Sequence, residues 1–381
     1  MIRVLHPQDD AVQIAELLAT GSGYTYIDGW DTALTELAVI ERPELAADTA
    51  EARRCLDEYA EAARGDGSID RVSRFIVYPW RRTIVKLPDS EHFWRLRTAR
   101  NRHLLTPEEQ RKWSDALVGV AGLSVGASAL AVCALTGARR FRLAERDTLG
   151  PTNLNRLQAS VCDLGQPKLA LAARRTLELD PYSEITSFPD GYSPTVAGNY
   201  LGDSTLERLS VLIEEMDDLA MKVDIRKRAR SQGIPVIMVT DHGDNVLIDV
   251  ERYDLDPAYP LFHGSAGDLT NLSVAELNDR RRRIELVSKI VGLDVTPQTR
   301  YSLTEVGKTL PSWPQLGTAV TLAGAIAAAA ARLIVCGAPV TSGRYRVDAD
   351  KVLIGSRGSR RDQWNELTER QFAQFMDRLS L

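Results

Sequence analysis

Short apolar runs alternate with stretches of helical length through the middle of the chain. Leu117–Ala121 is the first apolar run, and Phe141–Glu145 is a second that ends in an acid. Between them, Ala127–Leu135 consists of small and apolar residues over a helical length. Strands that alternate with helices form a mostly parallel sheet with helices on both faces. We therefore predict an α/β core of Rossmann-like type.

The same alternation continues and then changes. Ser210–Glu214 and Pro235–Thr240 are further predicted strands around a helix at Ala220–Gln232. The turn His242–Asn245 leads into Val246–Arg252, which predicts an antiparallel partner strand. We expect a late antiparallel extension, with a further closing strand at Tyr345–Val347, a charged helix at 273–291 and a buried helix at Gln315–Cys336. Ser187–Thr205 is rich in Pro, Gly and Asp and predicts a long crossover loop.

Residues 1–96 are predicted to form an α/β accessory segment. Asp9 and Asp10 precede a short amphipathic stretch, Ala46–Arg64 predicts a second helix, and Arg74–Tyr78 with Thr83–Leu87 predicts a hairpin. We find no catalytic constellation in this segment. The predicted domains are an accessory segment (1–96), a core domain (97–357) that contains an inserted helical segment (253–311), and a polar tail (358–381).

A glycine-containing turn follows the first core strand. Gly122, Ser124 and Gly126 lie between that strand and the small-residue helix. A helix that opens after such a turn directs free N–H groups and its positive dipole end at an anion. Glu145 lies 19 residues after Gly126, where dinucleotide folds place a ribose-hydroxyl acceptor. The glycine spacing is shorter than in a dinucleotide fingerprint, so glycines that serve helix packing alone remain an alternative.

Several polar side chains are predicted at one edge of the sheet. Glu145, Asp147 and Asp217 follow predicted strands, and functional residues of parallel sheets lie at these carboxyl ends. Asn153 and Arg156 supply hydrogen-bond donors on a loop, and Lys168 supplies a cation in the first turn of a helix. Asp217 supplies a hard oxygen ligand of the kind that Mg²⁺ prefers. Together these groups fit the binding of a triphosphate.

Three stretches carry a resemblance to a known family. LAERDTLGPTNLNR (143–156), GQPK (165–168) and LIEEMDD (212–218) resemble the signature of the ThiF/MoeB/E1-like adenylating enzymes. The resemblance covers roughly residues 97–354 and implies ATP-dependent activation of a carboxylate. It implies that Asn153, Arg156 and Lys168 contact the phosphates and that Asp217 lies near Mg²⁺.

The resemblance also has departures. Glu145 stands where the family has a ribose-binding aspartate, Leu157 where Gln is usual, and Asp218 where Asn is usual, while Asp147 matches a second aspartate of the pattern. Arg102 resembles an arginine that reaches the nucleotide, often from a second subunit, with Arg100 as the competing candidate. A homodimer is therefore expected.

The cysteines and the charge narrow the class of protein. Four separated cysteines without a Cys-x-x-Cys pair predict no zinc site, and Cys162 is the only one near the predicted nucleotide edge. A net charge of −5 gives no indication of nucleic-acid binding. The charged N-terminus and the short, Ala-rich apolar stretch predict a cytoplasmic protein without a membrane span.

The prediction for function is ATP- and Mg²⁺-dependent adenylation of a carboxylate. The substrate is expected to be a peptide C-terminus or a small biosynthetic intermediate, with a carrier or precursor peptide as a possible partner. Two alternatives remain. An NAD-dependent oxidoreductase would use the turn and Glu145 but would leave Lys168 and Asp217 without a role. A catalytically degenerate partner subunit would explain the departures from the family pattern.

Overall fold

The computed structural model describes residues 2–65, 71–203, 205–292, 295–355 and 369–380. The chain divides into two compact units, of which the first comprises Met1–Arg111 with Thr176–Ser183 and the second comprises Lys112–Arg175 with Glu184–Leu381. The domain boundaries predicted from the sequence remain a proposal.

The helices up to residue 180 are α1 (Ala11–Leu18), α2 (Trp30–Glu41), α3 (Ala50–Gly65), α4 (Ser90–Thr98), α5 (Pro107–Asp115), α6 (Val125–Leu135) and α7 (Lys168–Leu179). The later ones are α8 (Ala197–Leu201), α9 (Leu219–Gln232), α10 (Val274–Asn278), α11 (Arg280–Val291), α12 (Pro297–Thr304), α13 (Gly317–Val335), α14 (Ala349–Ile354) and α15 (Glu369–Ser380). Of the predicted tail 358–381, only α15 lies within the described residues.

The first unit contains a small mixed sheet. Its strands are β1 (Arg3–Leu5), β2 (Thr25–Asp28), β3 (Ser73–Tyr78) and β4 (Thr83–Pro88), in the order β1-β3-β4-β2. The predicted hairpin is confirmed, since β3 and β4 pair antiparallel around a 3₁₀ turn. Sequence reasoning missed β2 and α2. It also extended the second helix too far toward the N-terminus, because the separate 3₁₀ turn Pro43–Ala46 precedes α3.

The second unit contains the predicted α/β sheet. Its strands are β5 (Leu117–Ala121), β6 (Arg140–Ala144), β7 (Glu184–Phe188), β8 (Val211–Glu214), β9 (Val236–His242), β10 (Asn245–Glu251) and β11 (Gly343–Val347). Within the described residues the order is β11-β10-β9-β8-β5-β6-β7. The five neighbouring strands β9, β8, β5, β6 and β7 pair parallel to one another. Strands β10 and β11 extend this sheet with antiparallel pairs. The Rossmann-like fold class with a late antiparallel extension is thus confirmed.

Two local predictions are wrong. Ser187–Thr205 is not a plain crossover loop, because its start belongs to β7 and it contains α8. β7 is a sheet edge without any fully buried residue, so it lacks the apolar run that marks the other strands. The charged helix at 273–291 is two helices, since Asp279 ends α10 and accepts a hydrogen bond from the Arg282 N–H at 3.0 Å to begin α11.

Helix α13 is buried against the sheet, as the sequence predicts. Among the described residues it is long and apolar enough to pass a length-and-composition test for a membrane span. Ala319, Ala323 and Ala327 recur at four-residue spacing and are fully buried. Such small residues let a helix approach its neighbours closely. A β-carbon at Gly324 would lie 2.3 Å from Ser128 Oγ on α6.

Candidate active site

A cavity of about 640 Å³ opens at the carboxyl ends of the parallel strands of the second unit. Strands β6, β5, β8 and β9 are neighbours in the sheet, so the loops that follow them meet at this edge. Eight of the residues predicted from the sequence line the cavity, namely Gly122, Ser124, Glu145, Asp147, Asn153, Arg156, Lys168 and Asp217. Tertiary structure therefore brings together side chains that are up to 95 residues apart in sequence (217 − 122).

The glycine turn is constrained by the strand beside it. Gly122 has φ +88°, and a β-carbon there would lie 2.4 Å from the carbonyl oxygen of Glu215. Only glycine fits that backbone conformation and that close approach without strain. Gly126 is not among the cavity-lining residues, and a β-carbon there would lie 2.9 Å from Val120 Cγ1. Gly122 thus shapes the cavity, whereas Gly126 permits helix α6 to pack on the sheet.

Glu145 fastens the turn to the end of β6. Its Oε2 accepts a hydrogen bond from the Leu123 N–H at 2.8 Å. Its Oε1 accepts two more, from the N–H groups of Arg146 at 2.8 Å and Asp147 at 2.9 Å. A carboxylate that accepts several backbone N–H bonds is held firmly in place. Glu145 therefore organises the glycine turn.

The loop after β6 brings a cation to the turn. A 3₁₀ turn at Pro151–Asn153 is closed by the Gly150 N–H, which donates to Asn153 Oδ1 at 2.9 Å. Arg156 then donates through Nε to Ser124 Oγ at 3.3 Å, next to the start of α6. Burial lowers the pKa of the Arg156 guanidinium, and the carboxylates of Asp241 and Asp217 oppose that change. Arg156 thus places a partly buried positive charge beside the helix N-terminus.

Lys168 is held by the strand-end acid predicted to lie near it. Its backbone N–H donates to the carbonyl of Asp147 at 2.9 Å, and its Nζ donates to Asp147 Oδ2 at 3.1 Å. Lys168 is only 9% exposed while Asp147 is 58% exposed. The pair directs a largely buried ammonium into the cavity at the start of α7, and an anionic ligand would add a second counter-charge.

Asp217 and Asp218 have different tasks. Asp218 caps α9, since its Oδ1 accepts a hydrogen bond from the Met221 N–H at 3.2 Å. Asp217 is exposed at the cavity, and within the described residues its carboxylate has no hydrogen-bond partner. No cluster of three metal-ligating side chains occurs in the described parts of the chain. Mg²⁺ is commonly held by one or two carboxylates plus substrate phosphates and water, so a single free carboxylate fits it.

The structure adds two carboxyl groups that sequence reasoning did not assign. Glu215 lies between the turn and β9, where its Oε1 accepts a hydrogen bond from the Val239 N–H at 2.7 Å. Burial raises its pKa well above the usual range. Asp241, at the end of β9, is 4% exposed, and burial raises its pKa too. Asp241 follows the predicted strand Pro235–Thr240, so its strand-end position was the available signal.

The far wall of the cavity comes from the inserted segment. Helix α11 of that segment contributes Arg283, Val287, Ile290 and Val291, and the loop between α12 and α13, outside the segment, contributes Trp313 and Gln315. Of the Arg280–Arg283 run, only Arg283 lines this cavity. Arg282 instead pairs with Glu276 at 3.2 Å.

Three other residues singled out from the sequence lie outside this set. Arg102 belongs to the first unit, is exposed, and donates to the carbonyl of Ile40 at 3.3 Å. Arg100, the competing candidate, lies in the adjoining 3₁₀ turn Ala99–Asn101. Cys162 is exposed on the 3₁₀ turn Val161–Asp163 and is not a cavity-lining residue. The roles of both arginines remain predictions.

A parallel α/β sheet with a glycine turn, buried cations and an unpaired carboxylate at its carboxyl edge defines a nucleotide-binding class of protein. Residues 98–343 match the model of the ThiF family. The chain belongs to the ThiF family, which confirms the resemblance recognised in the sequence.

Two curated proteins are similar in sequence. An uncharacterized protein, MT1398, of Mycobacterium tuberculosis (strain CDC 1551 / Oshkosh) is 38% identical over 286 residues, which are 75% of this chain and 39% of that protein. The tRNA threonylcarbamoyladenosine dehydratase of Bacillus subtilis (strain 168) is 27% identical over 149 residues, which are 37% of this chain and 56% of that protein. The matched regions thus span well under two thirds of either relative.

Among solved structures, the E. coli tRNA N6-threonylcarbamoyladenosine dehydratase TcdA in complex with AMP is 18% identical, with a TM-score of 0.45. The match covers 64% of this chain and 95% of that one.

Proposed function

We propose that the protein activates a carboxylate by adenylation with ATP. The observation that carries this proposal is the convergence of Arg156, Lys168 and Asp217 on one cavity beside the glycine turn. Two cations and a free carboxylate suit a triphosphate with its divalent ion better than they suit a dinucleotide. Membership of the ThiF family supports the same choice over hydride transfer.

In the proposed reaction a carboxylate oxygen of the substrate attacks the α-phosphorus of ATP. The bond from that phosphorus to the bridging oxygen breaks, and pyrophosphate leaves with the electron pair. No proton moves, because a carboxylate is already ionised at neutral pH. Asn153, Arg156 and Lys168 stabilise the charge that develops on the phosphate oxygens. Asp217 would hold Mg²⁺, which neutralises phosphate charge when bound.

Several finer features belong to the proposal. Glu145 contacts the ribose, Gly122 and Ser124 lie against the phosphates, and Arg102 or Arg100 completes the site in a homodimer. The substrate is a peptide C-terminus or a small carboxylic acid, and the protein acts in the cytoplasm.

Carboxylate-dependent exchange of pyrophosphate into ATP tests the proposal. We expect Lys168→Ala and Asp217→Ala each to lower the exchange rate about 10²–10³-fold, the range for removing one preorganised charge. Lys289→Ala and Asp57→Ala are matched controls, since both residues are exposed and lie outside the cavity. Exchange that survives in both site variants would refute the residue roles. A wild-type chain that binds ATP but shows no exchange with any peptide, amino acid or other small carboxylic acid would indicate the degenerate partner instead.

A further inference from the structure

The end of β9 holds a buried acceptor that the adenylation step does not use. Asp241 is 4% exposed and lines the cavity, and its Oδ2 has no hydrogen-bond partner among the residues that the structure describes. Its Oδ1 accepts one weak hydrogen bond, from Gln315 Nε2 at 3.3 Å. Leaving a buried acceptor unsatisfied costs about 1–3 kcal/mol, and more for a charged group. Such an atom at a cavity wall indicates a donor supplied by a ligand.

The position of Asp241 in the sheet indicates which kind of molecule would supply that hydrogen-bond donor. The predicted phosphate-binding residues follow β5 and β6, and Asp217 follows β8. Strand β9 lies on the far side of β8 from β5 and β6. A substrate whose carboxylate meets a nucleotide bound over β5, β6 and β8 would have room for its remaining atoms on the β9 side of the cavity. Asp241 lies at that side of the cavity, whereas the glycine turn and Lys168 lie at the other.

Another part of the cavity wall is apolar. Met238 and Ile290 are 4% exposed and belong to one packed cluster, and Val287 packs against the same cluster. All three line the cavity. Burying an aliphatic or aromatic group against this wall would favour binding by about 0.8 kcal/mol per methylene removed from water.

We propose that Asp241 binds an N–H or ammonium group of the carboxylic acid to be activated, in the cavity whose apolar wall is formed by Met238, Val287 and Ile290. The substrate class is then an amino acid or peptide C-terminus whose final side chain is apolar. This inference rests on the proposed adenylation at the same cavity. Burial raises the pKa of the Asp241 carboxyl, and the nearby Arg156 guanidinium only partly opposes that change.

Matched acids test the inference by pyrophosphate exchange. The probes are leucine, N-acetyl-leucine and 4-methylpentanoate, which share one apolar side chain and differ in the nitrogen. A second series uses valine, phenylalanine, aspartate and their N-acetyl forms. We expect leucine or N-acetyl-leucine to exceed 4-methylpentanoate roughly tenfold to hundredfold in exchange efficiency, as one hydrogen bond to a charged acceptor implies. The apolar members of the second series should exceed aspartate.

Variants separate a specific role from loss of folding. In Asp241→Ala the preference for leucine over 4-methylpentanoate should fall to about twofold or less, while Asp57→Asn keeps it. Val287→Trp should fill the pocket and shift the preference from leucine toward alanine, with the chain's unfolding midpoint as the folding check. An unchanged preference in Asp241→Ala, or equal use of the nitrogen-free acid, overturns the inference.

If no probe drives exchange while a non-hydrolysable ATP analogue binds in a Lys168-dependent manner, the substrate class is wrong and nucleotide binding at the site stands. If the analogue does not bind either, the proposed function fails with it.

Discussion

The carboxylate of Glu145 accepts a hydrogen bond from the backbone N–H of Leu123 at 2.8 Å. This contact joins the end of β6 to the turn that follows β5, on which the nucleotide-binding proposal depends. Glutamate, with one more methylene than the aspartate of the family pattern, reaches the turn and still bonds the N–H groups of Arg146 and Asp147.

Glu145→Ala should raise the KM for ATP about tenfold, since the turn loses an anchor and its N–H groups are no longer held in place for phosphate. Glu145→Gln should have a smaller effect because its amide oxygen still accepts a backbone hydrogen bond. The KM is measured by pyrophosphate exchange. Glu184→Ala is the matched control, since that side chain is 72% exposed on edge strand β7. An unchanged KM in Glu145→Ala would show that the turn needs no such anchor.

Gly122→Ala should destabilise the second unit by about 3 kcal/mol. The positive φ costs about 1–2 kcal/mol, and the clash with the Glu215 carbonyl adds a similar amount. Gly337→Ala separates these contributions, because Gly337 has φ +84° but no atom within 4 Å of a built β-carbon. Urea unfolding gives both values. Equal losses of unfolding free energy in the two variants would show that the contact with the Glu215 carbonyl does not contribute to the destabilisation.

Asp241→Asn should stabilise the protein at neutral pH. The folded-state pKa of Asp241 is raised by burial, so over the window from its ordinary value of 3.8 up to the raised value the folded state binds more protons than the unfolded state. Stability then falls as pH rises through that window, because the unfolded state loses its proton first. Arg156 and Glu215 are the charged groups that interact with it. Asparagine removes this penalty.

Thermal unfolding of wild type and Asp241→Asn at pH 4 and pH 7 checks this expectation. The variant should gain most at pH 7 and little near pH 4. If the wild type were instead the more stable protein at pH 7, the burial of the Asp241 carboxyl would not destabilise the folded state. A stabilised variant with altered substrate use is the trade-off expected where a site is kept for function.

Arg226→Ala should lower the free energy of unfolding by about 3–5 kcal/mol, because it leaves buried carboxylates without their cation. Arg226 is fully buried, donates through Nε to Glu251 Oε2 at 2.7 Å, and also bonds the carboxylate of Glu214. Arg228→Ala, which removes a partly exposed pair with Asp224, should cost less than about 1 kcal/mol. Chemical denaturation compares the two. Similar losses would show that the buried network adds nothing beyond a surface ion pair.

Much of the site was accessible from the sequence because its residues follow recognisable local patterns. Strand ends, a glycine turn and a helix first turn each have a local signature, so Glu145, Lys168 and Asp217 could be placed on the correct edge. No role is predicted for Asp241 from the sequence, although Asp241 follows a predicted strand. Its importance depends on burial and on an unsatisfied oxygen, and neither property is encoded in neighbouring residues.

Local patterns in the sequence are sufficient for the α/β class, the parallel core with its antiparallel extension, and the family, because periodic apolar runs and short motifs are local properties. The same patterns do not reveal the edge strand β7 or the helix break at Asp279. Apolar patterning is weak at both positions, and hydrogen bonding determines the local structure there. Only the tertiary structure brought α11 of the inserted segment against β9 and closed the cavity over Asp241. That arrangement follows from the packing of residues such as Met238 and Ile290, which are distant in sequence and share no local signal.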